Sequence, residues 1–514
     1  MDSVVQTQDL DKMVYFDDSD AVLYVSKNHA FHAQVRSFMQ QLRTRNLQYQ
    51  VQQVAMDVIQ EKRARRSDVK DEALAEPSEM QRQATEMFRK AVALRASDIH
   101  IRVAYKQGIT KVYFRVHNDL ELQADHPASW GSLLCSAIYT AMSDVSDSTY
   151  EPLNRQDGRI SRRDRLPEGL DGIRIATTPQ VDGNVMVLRL LYNDSTKSTD
   201  ICTLGFFAEQ KAQVALMQRR PTGINIIAGP TGSGKSTTLQ RTLLDIHQSC
   251  QGTKHIITVE DPPEYPMPGI VQTPVANANT EQERSAAFQQ AIKAAMRLDP
   301  NVIMIGEMRD APSARLGVQA AMTGHQVWTT VHANNAFAVI DRMVDLGVPL
   351  NTMTDPTIVT GLICQRLLKV LCPSCRVPFA KVLKNYSADD RKRALAAAPV
   401  GDIFVAGEGC EKCNGTGIAG RTVVAEVVVP DQELMDLLRK GEKQHAIQTW
   451  RGRGNLTMLD SATRKISLGL CDPFQAEEEV GPLSAIEELT QVGHDAFGIR
   501  PTAAIHVDGG MEQE

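Results

Sequence analysis

The sequence predicts an α/β protein built around a doubly wound, mostly parallel sheet. Three observations point to that fold. Short apolar runs alternate with stretches of helical spacing: IIA at 226–228, HIITV at 255–259, VIMIG at 302–306 and QVWTTVH at 326–332. The first run passes directly into a glycine-rich loop and then a helix. The other three end in polar residues, where such sheets place their ligands. These are Glu260-Asp261-Pro262-Pro263-Glu264, then Glu307-Met308-Arg309-Asp310, then His332.

The glycine-rich loop is IIAGPTGSGKSTT, residues 226–238, in which Gly229, Gly234, Lys235 and Ser236 fit G-x-x-x-x-G-K-[ST]. Pro230, Thr231, Gly232, Ser233 and Thr237 complete the candidate binding set. Glycines let the backbone curl so that successive N–H groups face one phosphate chain. Lys235 brings a point charge to the β- and γ-phosphates, and the Ser236 hydroxyl can ligate Mg²⁺. Leu239, Leu243, Leu244 and His247 follow at helical spacing, so a helix N-terminus points its dipole at the phosphates. The pattern marks a nucleotide site, with ATP and Mg²⁺ the expected ligands. The motif alone does not say what the energy is used for. At the other strand ends, a carboxylate can orient an attacking water and a histidine can sense the γ-phosphate. Glu264, Glu307 and His332 are the candidates.

The chain has 514 residues, room for three or four domains, with 42% hydrophobic and 23% charged residues. A net charge of −6 argues against a general nucleic-acid binder. The acidic N-terminus lacks the apolar core of a signal peptide, and no run reaches transmembrane length. Nine cysteines, two pairs of them spaced CxxC, suit a reducing cytosol better than a disulfide framework.

Residues 1–65 read as a small α/β docking module. MVYFDD, AVLYVS and YQVQQV are predicted strands; His32–Arg45 and Met56–Arg65 are predicted helices. Residues 66–80 are polar and read as a linker. Residues 81–195 form a second α/β domain. Glu86–Leu94 and Ser132–Met142 are predicted helices, and ASDIHIRVAY and TKVYFRVHNDL half-buried strands. GIRIATTPQVDGNVMVLRLL, residues 172–191, is a hairpin turning near Asp182-Gly183. Arg102, Arg115, Arg159, Arg174 and Arg189 recur through this domain. They serve surface solubility, or some reach a phosphate across an interface; spacing alone does not decide.

A P-loop domain spans 204–470 and carries an insert at 364–426 with Cys372-Pro-Ser-Cys375 and Cys410-Glu-Lys-Cys413. Each CxxC presents two sulfurs from one tight knuckle, and two knuckles complete a tetrahedral Zn²⁺ shell. No open ligand position is implied, so the metal is structural. The stretch between the knuckles, 376–409, is long enough for a small helical insert. Residues 471–514 are acidic and irregular and read as a disordered tail.

Taken together, these residues resemble the ATPases of type II secretion systems and type IV pili, the secretion-ATPase E family, over about residues 90–470. ASDIHI at 96–101 and QDGRI at 156–160 are similar to that family's second N-terminal domain. GPTGSGKST at 229–237 is similar to its Walker A motif, TVEDPPEY at 258–265 to its aspartate box and MRLDPNVIMIGEMRD at 296–310 to its Walker B signature. TGHQVWTTVHANNA at 323–336 resembles its histidine box. QRLLKVLCPSC at 365–375 and CEKCNGTGIAGR at 410–421 resemble the tetracysteine insert of its assembly members. Asn301 departs from the family's Asp, Lys293 from a common Arg and Asn184 from an acidic residue.

The resemblance implies a RecA-like P-loop core, a PAS-like second N-terminal domain and a homo-hexameric ring that holds nucleotide between the two. It implies catalytic roles for Glu307, Glu264 and His332, pairs His332 with His325, and gives Arg174 and Arg189 an arginine-finger role. It further implies a cytoplasmic enzyme that hydrolyses ATP and drives an inner-membrane platform protein as pilin-like subunits assemble, with the two domains turning about a linker near 193–203. Three alternatives stand beside this reading, one of them a regulatory nucleotide-binding scaffold without turnover, against which Glu264, Glu307 and His332 together argue because a switch needs only the P-loop. A pilus-retraction motor would usually lack the four cysteines. A DNA translocase of a conjugation system would need a basic channel, and stable nucleic-acid binding is not expected at this net charge.

Overall fold

Residues 14–17, 22–27, 35, 39, 50–54, 78–144, 149–193, 198–275, 281–399 and 401–483 are described by a computed structural model. The chain divides into two units, Met1–Arg82 and Gln83–Glu514. In the first, β1 (Val14–Asp17) pairs antiparallel with β2 (Val22–Ser26), and β2 pairs parallel with β3 (Gln50–Val54). These are the three predicted strands, and Leu23 and Val25 are buried among them. The predicted helices His32–Arg45 and Met56–Arg65 lie outside the described residues, apart from Val35 and Met39.

The second unit holds two large sheets. The first begins after α1 (Glu79–Ala93) and comprises β4 (Asp98–Ala104), β5 (Ile109–Val116), β6 (Asp119–Pro127), β7 (Gln156–Ile160), β8 (Leu170–Gln180) and β9 (Gly183–Tyr192). Its order is β6-β5-β4-β9-β8-β7, antiparallel throughout. Burial alternates residue by residue along β5, as the period-2 pattern predicts. The buried side chains pack against α1 through Phe88 and against α2 (Ala128–Ser136) through Leu134. A π-helical turn, Ala137–Met142, continues α2, so the predicted Ser132–Met142 helix starts earlier and changes character midway. The hairpin of β8 and β9 turns at Val181-Asp182. Gly183 has φ +124°, and a Cβ there would lie 2.0 Å from the Val103 carbonyl oxygen, so no other residue fits.

The second sheet has the order β12-β11-β13-β14-β10-β15-β18. Its strands are β10 (Gly223–Ala228), β11 (Ile256–Glu260), β12 (Val271–Pro274), β13 (Val302–Ile305), β14 (Gln326–Val331), β15 (Val359–Leu371) and β18 (Ile418–Val428). All neighbours are parallel except β15 and β18. Helices α3 (Ala208–Arg219) and α4 (Lys235–Ser249) pack on one face through Val214, Met217, Leu239 and Leu243. Helices α5 (Glu281–Ala295), α6 (Ala311–Met322) and α7 (Ala338–Asp345) pack on the other through Ile292, Val318 and Ile340. Cover on both faces explains why β10, β13 and β14 are buried at every residue and read as unbroken apolar runs. The doubly wound, mostly parallel sheet is the predicted one.

Two boundaries need correction. The insert with the four cysteines runs between β15 and β18, at 372–417, rather than over 364–426. QRLLKVL and IAGRTVVAE, which look like its flanks, are a strand ladder from Leu362↔Val428 to Leu371↔Ile418. Between the knuckles lie a two-stranded ribbon, β16 (Val377–Pro378) with β17 (Phe404–Val405), and helix α8 (Ala388–Ala397), the small helical insert that the spacing predicts. Helices α9 (Gln432–Arg439), α10 (Lys443–Gly452) and α11 (Met458–Ser467) follow.

The tail expected at 471–514 is ordered at its start. Helix α12 spans Pro473–Val480. Asp472 caps it, accepting from the Phe474 N–H at 2.9 Å, and Pro473 occupies the first helical position. Phe474 stacks on Tyr386 with ring centroids 4.7 Å apart. The run of three glutamates, Glu477–Glu479, disguised a helix whose packed side is Pro473, Phe474, Ala476 and Val480. Residues beyond 483 lie outside the described set.

Candidate active site

The loop between β10 and α4 is shaped by its glycines. Gly229 has φ +148°, and a Cβ there would meet the Gln365 carbonyl oxygen at 2.4 Å. Gly234 caps α4 in the left-handed conformation. Lys235, at the first position of α4, is buried and donates to the carbonyls of Gly229 and Pro230 at 2.8 and 3.0 Å. Burial pushes its ammonium below the usual lysine range, while the charges of Glu307 and Glu264 pull the other way. The loop residues Pro230 to Ser233 line a cleft of about 60 Å³ whose opposite wall includes Lys369 and Arg421. Ser236 is exposed beside it and Thr237 half-buried.

The strand ends of the parallel sheet converge on this loop, as such sheets require. Glu307 follows β13, and its carboxylate is held at both oxygens. His332, directly after β14, approaches Oε1 with Nε2 at 2.9 Å, and Arg309 Nε approaches Oε2 at 2.8 Å. Glu264 follows β11. Glu260, the last residue of β11, was not singled out from the sequence. It is buried, and burial pushes its carboxyl above the usual range although the Thr258 hydroxyl and the Gln272 amide donate to it. His325 is not brought to the site. It precedes β14, at the end opposite His332, and six strand residues separate the two by roughly 20 Å. Its Nδ1 lies 3.0 Å from the Ala320 carbonyl oxygen.

The antiparallel sheet contributes from mid-strand. Register pairs Arg174 with Arg189 directly, so the hairpin brings the two arginines together. The same row extends across five strands: Arg115 on β5, Asp98 on β4, Arg189 on β9, Arg174 on β8 and Arg159 on β7. Arg102 lies off this row and sits over the Tyr113 ring. Neighbouring strands are about 4.8 Å apart, so four guanidinium groups crowd one line and repel. Asp98, unremarked in the sequence, relieves them. Its carboxylate is 3.0 Å from Arg189 Nε and 3.9 Å from Arg115 Nε. Burial works against the Arg189 charge, but Asp98 outweighs it and the Arg189 pKa is raised. Arg174 reaches out of its own sheet. It donates to the Pro262 carbonyl at 2.7 Å and lies 3.6 Å from Glu264 Oε1.

Two of the substitutions that depart from the family pattern have local partners. Asn301 Oδ1 accepts from the His255 N–H at 2.7 Å, a bond an aspartate would also accept. Asn184 donates to the Tyr150 hydroxyl and accepts from that of Tyr105, a pairing that needs an amide rather than a carboxylate.

Cys372, Cys375, Cys410 and Cys413 come together, all four sulfurs lying within 4.8 Å of one another. The 372–410 and 375–413 sulfur pairs are 3.8 Å apart and the 410–413 pair 3.7 Å. A tetrahedral zinc with bonds of about 2.3 Å sets its sulfurs about 3.8 Å apart, so the donor set fits that metal. Burial raises the Cys413 thiol, but the N–H groups of Cys410 and Gly417 outweigh it and draw the group down to about 6. That favours the thiolate a metal needs at Cys413, whereas burial and the neighbouring thiols push Cys375 up to about 12.

The chain matches the type II/IV secretion system protein family over residues 73–490. It is 33% identical to the type II secretion system protein E of Dickeya dadantii (strain 3937) over 385 residues, covering 75% of this chain and 72% of that one. It is also 33% identical to the type II secretion system ATPase E of Vibrio cholerae serotype O1 over 387 residues, again 75% and 72% of the two chains. Among solved structures, the pilus retraction motor PilT with bound ADP shares the fold, with a TM-score of 0.53 and 24% identity over 79% of this chain and 98% of that one.

Proposed function

Because this chain belongs to the type II/IV secretion system protein family, we propose that it is a mechanochemical ATPase that drives assembly of a type IV pilus or of a type II secretion pseudopilus. One observation supports this most: the buried Lys235 of the phosphate loop lies in the field of Glu307 and Glu264, and Arg174 reaches the same Glu264 from another sheet. A site that only bound nucleotide would need the loop and little more.

In this reading Glu307 orients the water that attacks the γ-phosphorus, with His332 and Arg309 fixing its two oxygens. The bond from the γ-phosphorus to the bridging oxygen breaks, leaving ADP and inorganic phosphate. Lys235, Arg174 and Arg189 stabilise the charge that develops on the transferring group. Ser236 would hold Mg²⁺, which when bound neutralises charge on the β- and γ-phosphates. The four cysteines would hold a structural zinc. Arg174 exchanges the Pro262 carbonyl and Glu264 for the γ-phosphate, so residues 81–195 and 204–470 move as two bodies about the linker near 193–203. Only part of that linker is described, residues 194–197 lying outside the set.

A homo-hexameric ring, a cytoplasmic location and an inner-membrane platform partner belong to the same proposal. Among the described residues no helix is long and apolar enough to cross a membrane, so the force would pass to the membrane through that partner. Residues 1–65 are taken as its docking module. Phosphate release from ATP and Mg²⁺ by the purified, assembled protein tests the reading; an assembled protein that binds ATP and releases no phosphate would overturn it.

A further inference from the structure

Glu426 is a buried carboxylate on β18 that no part of the mechanism above uses; it is 8% exposed. Its Oε2 accepts from the Ala336 N–H at 2.8 Å and its Oε1 from the Met458 N–H at 3.2 Å, at the start of α11. Burial pushes its carboxyl above the usual range, and those two N–H groups pull it back. Directly opposite on β15 is Cys364, whose thiol donates to the Ala333 carbonyl at 3.6 Å. Cys364 in turn faces Ala228 on β10, the last residue before the phosphate loop. One row across three strands therefore runs from the phosphate loop to Glu426. Two of its side chains hold the main chain at Ala333 and Ala336, the segment that follows His332. Asn335 completes the hold by accepting from the Ala338 N–H at 2.8 Å at the start of α7.

A charged group in this place is costly unless the geometry requires it. Here two N–H donors converge on one side chain. A glutamine has one acceptor oxygen and would set its NH₂ against the second donor. The geometry therefore calls for a carboxylate, and the segment it secures begins next to the imidazole that touches Glu307.

We propose that Glu426 is a positioning residue that holds the 333–336 segment so that His332 stays on Glu307. The proposal rests on the ATPase reading above. Its test compares ATP turnover by wild type, Glu426→Gln, His332→Ala and the double variant, all full-length and assembled. Glu426→Gln should lower kcat roughly tenfold with KM for ATP within about twofold of wild type, because it disturbs the reacting geometry rather than nucleotide binding. In the His332→Ala background the same change should cost nothing further, since residues that act as one unit are not additive. Independent losses that multiply, an unchanged kcat in Glu426→Gln, or a wild-type rate in His332→Ala would each overturn the proposal and leave the ATPase reading standing. A wild type that releases no phosphate would instead remove that reading. Amide exchange on wild type gives a second measurement if Glu426→Gln does not fold. Bonded to a buried carboxylate, the Ala336 amide should exchange far more slowly than an open loop amide; exchange at the open-loop rate would overturn the anchorage.

Discussion

The two large sheets of the second unit deliver functional side chains in different ways. The parallel sheet delivers them at its edge. Lys235, Glu264, Glu307 and His332 all follow the C-terminal ends of strands, where the backbone leaves the sheet and side chains are free to converge. The antiparallel sheet delivers them from its middle. Arg174 and Arg189 stand on paired strands in one row with Asp98, Arg115 and Arg159. In the first case position follows from the connection after a strand; in the second it follows from register, and a slip of one residue would turn each arginine to the other face.

If the parallel sheet carries the chemistry, its substitutions should have the largest effects. Lys235→Ala should abolish ATP turnover, because the β- and γ-phosphates lose the one side-chain charge the loop provides. Undiminished phosphate release from the purified variant would remove the assignment. Glu307→Gln keeps the shape and loses the charged acceptor, so it should slow hydrolysis on the order of a hundredfold or more with little loss of nucleotide binding. Parallel losses in rate and affinity would make Glu307 a structural residue and move the chemistry elsewhere.

The same contrast explains what could be read from the sequence. The phosphate loop is contiguous, so Gly229 to Thr237 were legible without any knowledge of tertiary structure. The two CxxC knuckles were legible because their spacing is itself the geometry, and the hairpin was legible from its turn residues, although the turn falls at Val181-Asp182, one residue earlier than Asp182-Gly183, and only that register sets Arg174 against Arg189. Asp98 was not legible, because its place in the arginine row depends on the registers of β4 with both β5 and β9. Glu426 was hidden among the valines of a strand that resembled the flank of an insert. The segment around Phe474 passed for a tail because three consecutive glutamates, Glu477–Glu479, mask the packing residues spaced around them. Asp98, Glu426 and Phe474 each depend on a partner more than twenty residues away, and one-dimensional patterns do not report such partners.

Substitutions in the antiparallel sheet come next in size and would show whether its row works as a unit. On the proposed reading Arg174→Ala and Arg189→Ala should each lower kcat by roughly ten- to a hundredfold, since each would remove a charge that stabilises the transferring phosphoryl group. Asp98→Asn should lower it less, by a few-fold, because Arg189 keeps its charge and loses only its anchor. Steady-state turnover and nucleotide affinity in assembled protein separate these outcomes. If both arginine variants hydrolyse ATP at the wild-type rate, the row is a surface feature and only the parallel sheet is catalytic.

The smallest effect on turnover should come from the cysteine cluster, although it belongs to the parallel sheet. Cys372 follows β15 eight residues beyond Cys364, the point at which that strand passes Ala228 beside the phosphate loop. At strand rise the cluster is therefore roughly 26 Å from that point, and it lies beyond Lys369, the last β15 residue to line the cleft beside the phosphate loop. Its sulfurs close the loop between two paired strands and leave no position open for a substrate. The wild type should carry one tightly bound zinc per chain and Cys372→Ser should lose it, as metal analysis of the two purified proteins would read. The insert should then become sensitive to protease, because a structural zinc supplies much of the folding free energy of so small an element. Turnover by the variant, measured before the insert is cleaved, should stay within a few-fold of wild type. A wild type without zinc would remove the metal from the protein. A variant that loses zinc and turnover together would mean that the far end of β15 and β18 governs the phosphate loop, and that distance from the chemistry does not separate structure from catalysis in this sheet.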